Sequence, residues 1–289
     1  MKHENVALLG ATGFLGQQVL IDLVGSGYKV TVILQSTSTN TIPFPVTVTV
    51  LTLKQFLSCD TEFDFMINCA GYYSKSAKFS EIYRIRKSNY VLVKQLTKVR
   101  KKKGGSLITF GSYFEKSPPW KEIPAYHYTK YKIKVKKFLK ISAKTISFPT
   151  FYIYLFDTYG EGDNRNKVLT FIIREFKHGR IPDLTNPLEH INWSHKSDIS
   201  ASVIKLMKNS ERYLPYKLYE FQIRSPDEFR LIDFVQTISE LINLKRIRYY
   251  KDSNFGNLYD CAQNMTYFKA KSNVIEFTLN SIKLKNEVL

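Results

Sequence analysis

Val6-Ala7-Leu8-Leu9-Gly10-Ala11-Thr12-Gly13-Phe14-Leu15-Gly16 is an apolar run ending in glycines spaced three apart, and Val19, Leu20 and Leu23 extend it at helical spacing. The pattern predicts a strand, a tight turn and the N-terminus of a helix. Such a turn aims backbone N–H groups and the positive end of a helix dipole at a phosphate. The glycines turn the chain, let a pyrophosphate approach the backbone, and let helix pack on strand. The extended run Lys29-Val30-Thr31-Val32-Ile33-Leu34 completes a β-α-β unit of roughly 30 residues. Gly10, Thr12, Gly13, Phe14, Leu15 and Gly16 are therefore candidates to cradle a dinucleotide.

The alternation continues outward from this unit. Strands are expected at 5–10, 29–34, 46–51, 63–69, 105–111 and 146–156, and helices at 14–26, 79–103 and 127–142. That order predicts a doubly wound parallel sheet of Rossmann type, covered on both faces. Thr37–Pro45 and Ser117-Pro118-Pro119-Trp120 read as loops. Beyond Tyr159-Gly160-Glu161-Gly162-Asp163 the pattern changes. Helices are expected at 167–178, 198–207 and 230–242, with extended segments at 191–193, 218–223 and 247–250. The division expected is a dinucleotide-binding domain over 1–158, completed by segments near 191–207 and 217–224. A smaller α/β substrate-binding domain would fill most of 159–289.

The 289-residue chain carries a net charge of +18. An anionic partner or a set of solvated lysine faces would each account for it. Basic runs such as Arg100-Lys101-Lys102-Lys103 come with no nucleic-acid motif, so a cleft for phosphorylated small molecules is the preferred reading. Cys59, Cys69 and Cys261 form neither a metal signature nor a disulfide framework. No metal is expected, and the cysteine usage suits a reducing cytoplasm. No secretory pattern and no run of about 20 apolar residues is found, so no membrane partner is expected.

Tyr126-His127-Tyr128-Thr129-Lys130 holds a Tyr and a Lys four apart, on one helix face. A neighbouring ammonium favours the phenolate, which makes Tyr126 a candidate general acid/base with Lys130 beside it. Tyr128 and Lys132 have the same spacing. Lys132 lies in Lys132-Ile133-Lys134-Val135-Lys136-Lys137, and the simplest reading of that run is a solvated basic face. Pro124 places Tyr126 near the helix start, which favours the first pair. Ser112 ends the buried strand pattern Leu107-Ile108-Thr109-Phe110-Gly111. It can cap a turn or donate a hydrogen bond to a developing alkoxide. Its position before Tyr126 and Lys130 favours the catalytic role.

These features together resemble the extended short-chain dehydrogenase/reductases, the NAD-dependent epimerase/dehydratase family, that act on nucleotide-diphosphate sugars. The resemblance runs through the glycine turn, Asn68-Cys69-Ala70-Gly71, Asn89, Ser112, Tyr126-x-x-x-Lys130 and Tyr159-Gly160-x-Gly162-Asp163. It implies that Ser112, Tyr126 and Lys130 act on a sugar hydroxyl or ketone beside a nicotinamide. Lys130 would also hold the nicotinamide ribose, and Ala70 and Gly71 would line the cofactor site.

Phe110–Lys116, Tyr159–Lys167, Leu218–Ile223 and Asn257–Ala262 look most like the CDP-abequose and CDP-paratose synthases. That likeness implies NADPH-dependent reduction of a 4-keto sugar for surface polysaccharide synthesis. The alternative is an epimerase, or a reductase of dTDP- or GDP-linked 4-keto sugars.

Departures from the family sharpen the expectation. The 4,6-dehydratases carry an Asp-Glu pair where this chain has Tyr113 and Phe114, which argues against elimination, although Glu115 leaves the alignment open. An Arg-Asp-Phe run is replaced by Ile191-Asn192-Trp193, so the substrate diphosphate needs other partners. Lys167, Arg165 and Arg174 are candidates. An Asn common near the end of the sixth strand is Asp157 here. The substrate set is thus Ser112, Tyr113, Tyr126, Asp157, Lys167 and Arg174. The second strand ends in Leu34-Gln35-Ser36 with no acid for a ribose 2′-OH. Gln35 and Ser36 therefore favour NADP(H), with NAD(H) as the alternative. Family members commonly dimerise through the helices matching 79–103 and 127–142. A homodimer is an expectation that the basic character of both helices opposes.

Overall fold

The computed structural model describes residues 4–35, 43–116, 125–244, 267–269 and 271–283. The chain runs β1 (Asn5–Leu9), α1 (Phe14–Gly25), β2 (Lys29–Leu34), β3 (Thr49–Thr52), α2 (Leu53–Ser58) and β4 (Phe65–Asn68). A continuous helix follows, made of α3 (Phe79–Arg86), a π-turn (Lys87–Val91) and α4 (Leu92–Lys103). Next come β5 (Ser106–Ser112), a 3₁₀ turn (Tyr113–Lys116), α5 (Tyr126–Ala143) and β6 (Thr150–Leu155). The second half holds β7 (Asp157–Tyr159), α6 (Val168–Lys177), β8 (His190–His195), α7 (Lys196–Lys208) and β9 (Leu218–Arg224). β10 (Glu228–Arg230), α8 (Leu231–Leu241), β11 (Tyr267–Lys269) and α9 (Val274–Lys283) complete the described elements.

Among the described residues eight strands form one parallel sheet in the order β11-β9-β6-β5-β4-β1-β2-β3. The central strands β1, β4, β5 and β6 are buried at nearly every position because both faces are covered. Period-two alternation then divides each strand between two cores. Val6 and Leu8 of β1 join Ile108 and Phe110 of β5 on the face covered by α1 and α7. Ala7 and Leu9 join Tyr152 and Tyr154 of β6 on the face covered by α4 and α5. The strand order reverses between β1 and β4, and ligands of such sheets bind at the carboxyl ends beside the reversal.

A three-stranded sheet, β10-β8-β7, packs with α6, α8 and α9 around a third core that includes Tyr159, Trp193, Phe234 and Ile238. The two layers interleave. The expected strand at 146–156 covers only 150–155, after which β7 leaves for the small sheet. Within the segment near 191–207, β8 belongs to the small sheet, while α7 packs on the large one. β9 returns to the large sheet beside β6. The loop at Ser117–Trp120, the extended run at 247–250 and the segment Asn257–Ala262 lie outside the described residues.

Candidate active site

The glycine turn sits at the reversal point. Gly10 has φ +80°, and a Cβ there would lie 2.4 Å from the Ala70 nitrogen. A Cβ on Gly16 would lie 2.0 Å from the Gly10 carbonyl oxygen. Gly16 is thus the buried contact that brings α1 against the turn, while Gly10 lets the turn close on β4. Gly13 caps α1 without a side-chain hydrogen bond, and the first helical turn carries no acid. The helix N-terminus therefore keeps its donors and its positive field for an anion.

In front of it lies a cavity of about 310 Å³, lined by Gly10, Thr12, Gly13, Gln35, Ala70, Gly71 and Ser88 among others. None of its described lining residues is a carboxylate. Ser36 lies outside the described residues. The π-turn explains a residue that the sequence pattern missed. A π-turn widens the helix locally, and here it sets Ser88 on the cavity wall and buries Asn89. Asn89 donates to the Tyr72 and Ile85 carbonyls, with its amide nitrogen 2.7 and 3.1 Å away. The uncapped helix, the close-packed glycines and this cavity fit the pyrophosphate and adenosine of a dinucleotide.

The cavity runs on past Gly13, Cys69, Ala70 and Gly71 into a larger cleft of about 720 Å³. Phe14 and Leu15 line this second part. Phe14 has the Arg165 guanidinium over its ring at 4.0 Å and the Lys196 ammonium at 5.4 Å. Ser112, Tyr128 and Lys132 converge on the cleft. The Tyr128 phenol is hydrogen-bonded to the Ser112 side chain. Lys132 donates to the Phe110 carbonyl at 2.7 Å, and its nitrogen is 5.5 Å from the Tyr128 ring centre. Burial raises the Tyr128 phenol well above its ordinary range, with the Glu115 and Tyr73 charges adding to it and the Ser112 bond opposing. Burial also brings the Lys132 ammonium down to about 8, against the pull of Glu115.

This geometry corrects the expectation for Tyr126 and Lys130. Neither lines the cleft. Two residues along a helix amount to a rotation of about 200°, so Tyr126 and Lys130 face away from Tyr128 and Lys132. The decisive register is 128, 132, 135 and 139. Lys132, Val135 and Leu139 are buried on α5, and the last two pack into the core beneath the sheet. Val135 and Leu139 at i+3 and i+7 from Lys132 are the sequence signal for that face. The basic run around Lys132 obscures it.

The remaining wall comes from several elements. Asp157 begins β7 and receives the Lys167 ammonium at 3.3 Å and the Tyr113 hydroxyl at 3.4 Å. Tyr73 packs edge-on against Tyr128 at 5.1 Å, and Lys75 and Asn166 also line the cleft. Tyr73 and Lys75 carry no motif, and folding alone brings them here, as it brings Ser88 to the first cavity. Arg165 lines the cleft but is committed. It holds Asp163 through two nitrogens, at 2.7 Å each, and the Thr158 carbonyl at 2.9 Å. Arg174 is excluded from the cleft. It lies exposed beside Glu175 on α6. Asn192 replaces a charged residue structurally, since its amide group pairs with the Ser225 backbone in both directions at 2.9 Å.

Tyr113 and Phe114 follow Ser112 into the cleft, and Glu115 does not. Its carboxylate turns under the sheet, accepting from the Ser112 N–H at 2.8 Å and the Tyr152 hydroxyl at 2.9 Å. Among the described residues no cluster of metal-ligating side chains is present, and no helix is long and apolar enough to cross a membrane.

Known proteins share this architecture. WbmF of Bordetella bronchiseptica, solved with NAD+ and UDP, superposes with a TM-score of 0.76 at 18% identity, over 99% of this chain and 92% of that one. MoeE5, solved with UDP-glucuronic acid and NAD, gives 0.71 at 14%, over 99% and 100%. A UDP-N-acetylglucosamine 4-epimerase from Methanobrevibacter ruminantium M1, in complex with UDP-N-acetylmuramic acid, gives 0.72 at 16%, over 100% of both. At these identities the likeness establishes the fold. No curated protein sequence matches the chain. The pattern of the NAD dependent epimerase/dehydratase family matches residues 6–220. The glycine turn, the doubly wound sheet and this match over most of the chain agree, and the protein belongs to the NAD dependent epimerase/dehydratase family of NAD(P)-dependent oxidoreductase-type enzymes.

Proposed function

We propose that the protein reduces the 4-keto group of a nucleotide-diphosphate deoxysugar, with NADP(H) as the preferred nicotinamide. One observation carries this reading. Ser112, Tyr128 and Lys132 converge at the carboxyl edge of the sheet, in a cleft continuous with the glycine turn. Gly10, Thr12, Gly13, Gln35, Ala70 and Gly71 would hold the cofactor, which when bound supplies hydride to a carbonyl carbon. Tyr128 donates the proton that the carbonyl oxygen requires. Ser112 holds that oxygen with its hydroxyl, and Lys132 steadies the negative charge that Tyr128 acquires.

Tyr128 is hydrogen-bonded to Ser112 in the cleft, where it can give its proton to a ketone oxygen. Elimination finds no support, because Tyr113 and Phe114 are neutral and Glu115 is turned away. Among the described residues no carboxylate lines the cavity beside Gln35, which supports NADP(H).

The test is a panel of CDP-, dTDP-, GDP- and UDP-linked 4-keto sugars with NADPH or NADH, with product NMR. Stoichiometric NADPH oxidation with reduction at C4 is expected. The second reading, a redox-neutral UDP-sugar 4-epimerase, draws on solved relatives named as UDP-N-acetylglucosamine 4-epimerases. Interconversion of C4 epimers without net cofactor oxidation would select it. Under either reading, Ser112→Ala lowers kcat by at least about tenfold, since the cleft loses an oxyanion donor. Steady-state kinetics against unchanged cofactor binding would check this.

A further inference from the structure

Glu115 is a buried acid next to the reacting groups, with no part in the proton transfer described above. It is 8% exposed and sits in the 3₁₀ turn that directly follows Ser112. One carboxylate oxygen accepts from the Ser112 N–H and from the Tyr152 hydroxyl. The other is buried with no hydrogen-bond partner among the described residues. An isolated buried carboxylate is costly, so its surroundings must offset its charge. Burial does raise the Glu115 carboxyl above its ordinary range, and the Ser112 N–H, Lys136, the Tyr152 hydroxyl and Lys132 all act against that rise.

The cage around it is built from the catalytic elements. The charges of Lys132 and Lys136 on α5 act on it, as does the Tyr152 hydroxyl of β6, and its own charge acts on the Tyr128 and Tyr154 phenols. Lys136 and Lys116 are engaged elsewhere. Both reach Glu220 of β9, at 4.0 and 3.9 Å, and both lie over the Tyr154 ring. Lys132 has no ion pair within 4 Å among the described residues, and it spends one proton on the Phe110 carbonyl. Tyr152 also contacts the Lys132 carbonyl at 3.3 Å, which joins the acid to the α5 turn that carries Lys132. Gly111 is required for this arrangement, because a Cβ there would lie 2.6 Å from the Glu115 oxygen and 2.3 Å from the Tyr152 ring.

We propose that Glu115 is a positioning residue for this reaction, a buried counter-charge that keeps Lys132 an ammonium and pins the Ser112 end of β5. The proposal rests on the reading of Ser112, Tyr128 and Lys132 as the reacting constellation. Its sign follows from charge alone. A carboxylate near an ammonium favours the ammonium, and near a phenol it disfavours the phenolate. Both effects keep the proton-donating form of the site populated as pH rises.

The test is Glu115→Gln, which keeps size and removes charge. Lysine Cε-labelled protein is titrated by NMR, with the Lys132 resonance assigned by its loss in Lys132→Arg. The Lys132 midpoint is expected to fall by about one pH unit in E115Q, and the alkaline limb of kcat/KM to move down with it. Tyr152→Phe removes one hydrogen bond and leaves the acid in place, so its midpoint moves less than that of E115Q. An unmoved midpoint in a folded E115Q overturns the proposal and leaves Glu115 a packing residue. A midpoint that falls without moving the alkaline limb instead sinks the reading of Lys132 as part of the reaction. If E115Q does not fold, the wild type decides. A Lys132 midpoint at about 8 or above supports the counter-charge, and one near 6 overturns it.

Discussion

Tyr128→Phe is expected to lower turnover by at least about a thousandfold, while Tyr126→Phe stays within about twofold of the wild type. The first loses, among the described residues, the one hydroxyl that is both hydrogen-bonded to Ser112 and open to the cleft. General acid catalysis contributes about 10²- to 10⁴-fold. Loss of the Tyr128 hydroxyl also releases Ser112, so the upper part of that range applies. Phenylalanine keeps the ring contact with Tyr73 and the cation above it. The fold and the cofactor cavity should therefore survive. Kinetics on the substrate identified by the nucleotide-sugar panel, with nicotinamide binding followed by fluorescence, would check both halves. A slow Tyr126→Phe beside an active Tyr128→Phe would reverse the assignment.

Arg100→Ala is expected to destabilise the protein by about 3 to 5 kcal/mol, the size of effect that follows the loss of a large buried hydrogen-bonding group. Arg100 is 1% exposed and makes no ion pair with an acid among the described residues. Burial pulls its guanidinium down to about 9. Neutral acceptors satisfy it: the Gly105 carbonyl and the Thr150 hydroxyl at 2.9 Å, and the Pro149 and Phe148 carbonyls at 3.1 and 3.3 Å. These tie the end of α4 to the starts of β5 and β6; the far end of β5 carries Ser112, and that of β6 leads into Asp157 of β7. Alanine would strand several buried carbonyls and open a cavity beneath the sheet. Thermal unfolding should show a fall in Tm of roughly 10 °C. Lysine would rescue only in part, because a single ammonium cannot meet acceptors spread across a planar fork. A change in Tm below about 2 °C would show that water satisfies the site instead.

Part of this protein is legible without coordinates. The spacing of Gly10, Gly13 and Gly16 after an apolar run admits few other structures, because backbone sterics leave only glycine where the turn meets Ala70 and where α1 meets Gly10. The alternation of strands and helices then sets the parallel sheet, and Ser112 at the end of a strand pattern falls at its carboxyl edge. Those are local facts, and local sequence carries them.

The choice between two Tyr-x-x-x-Lys pairs is not local. Tyr126 with Lys130 and Tyr128 with Lys132 hold ring and ammonium at nearly equal distances, 5.6 and 5.5 Å. Spacing cannot separate them. The tertiary structure does so by burying one face of α5 on the sheet, and that rotation decides which tyrosine reaches Ser112. The same holds for Glu115, whose direction depends on a gap left by Gly111 one strand position before Ser112. Arg165 and Arg174 look alike in sequence, yet one is spent on Asp163 and the other lies on an exposed helix face. The sequence by itself determined the sheet and the phosphate turn, because both rest on backbone geometry, and its Ser and Tyr-x-x-x-Lys residues carried the resemblance that implies the class of chemistry. Only the tertiary structure decided which side chains share the cleft, because that depends on helix rotation and on long-range packing that no short stretch encodes.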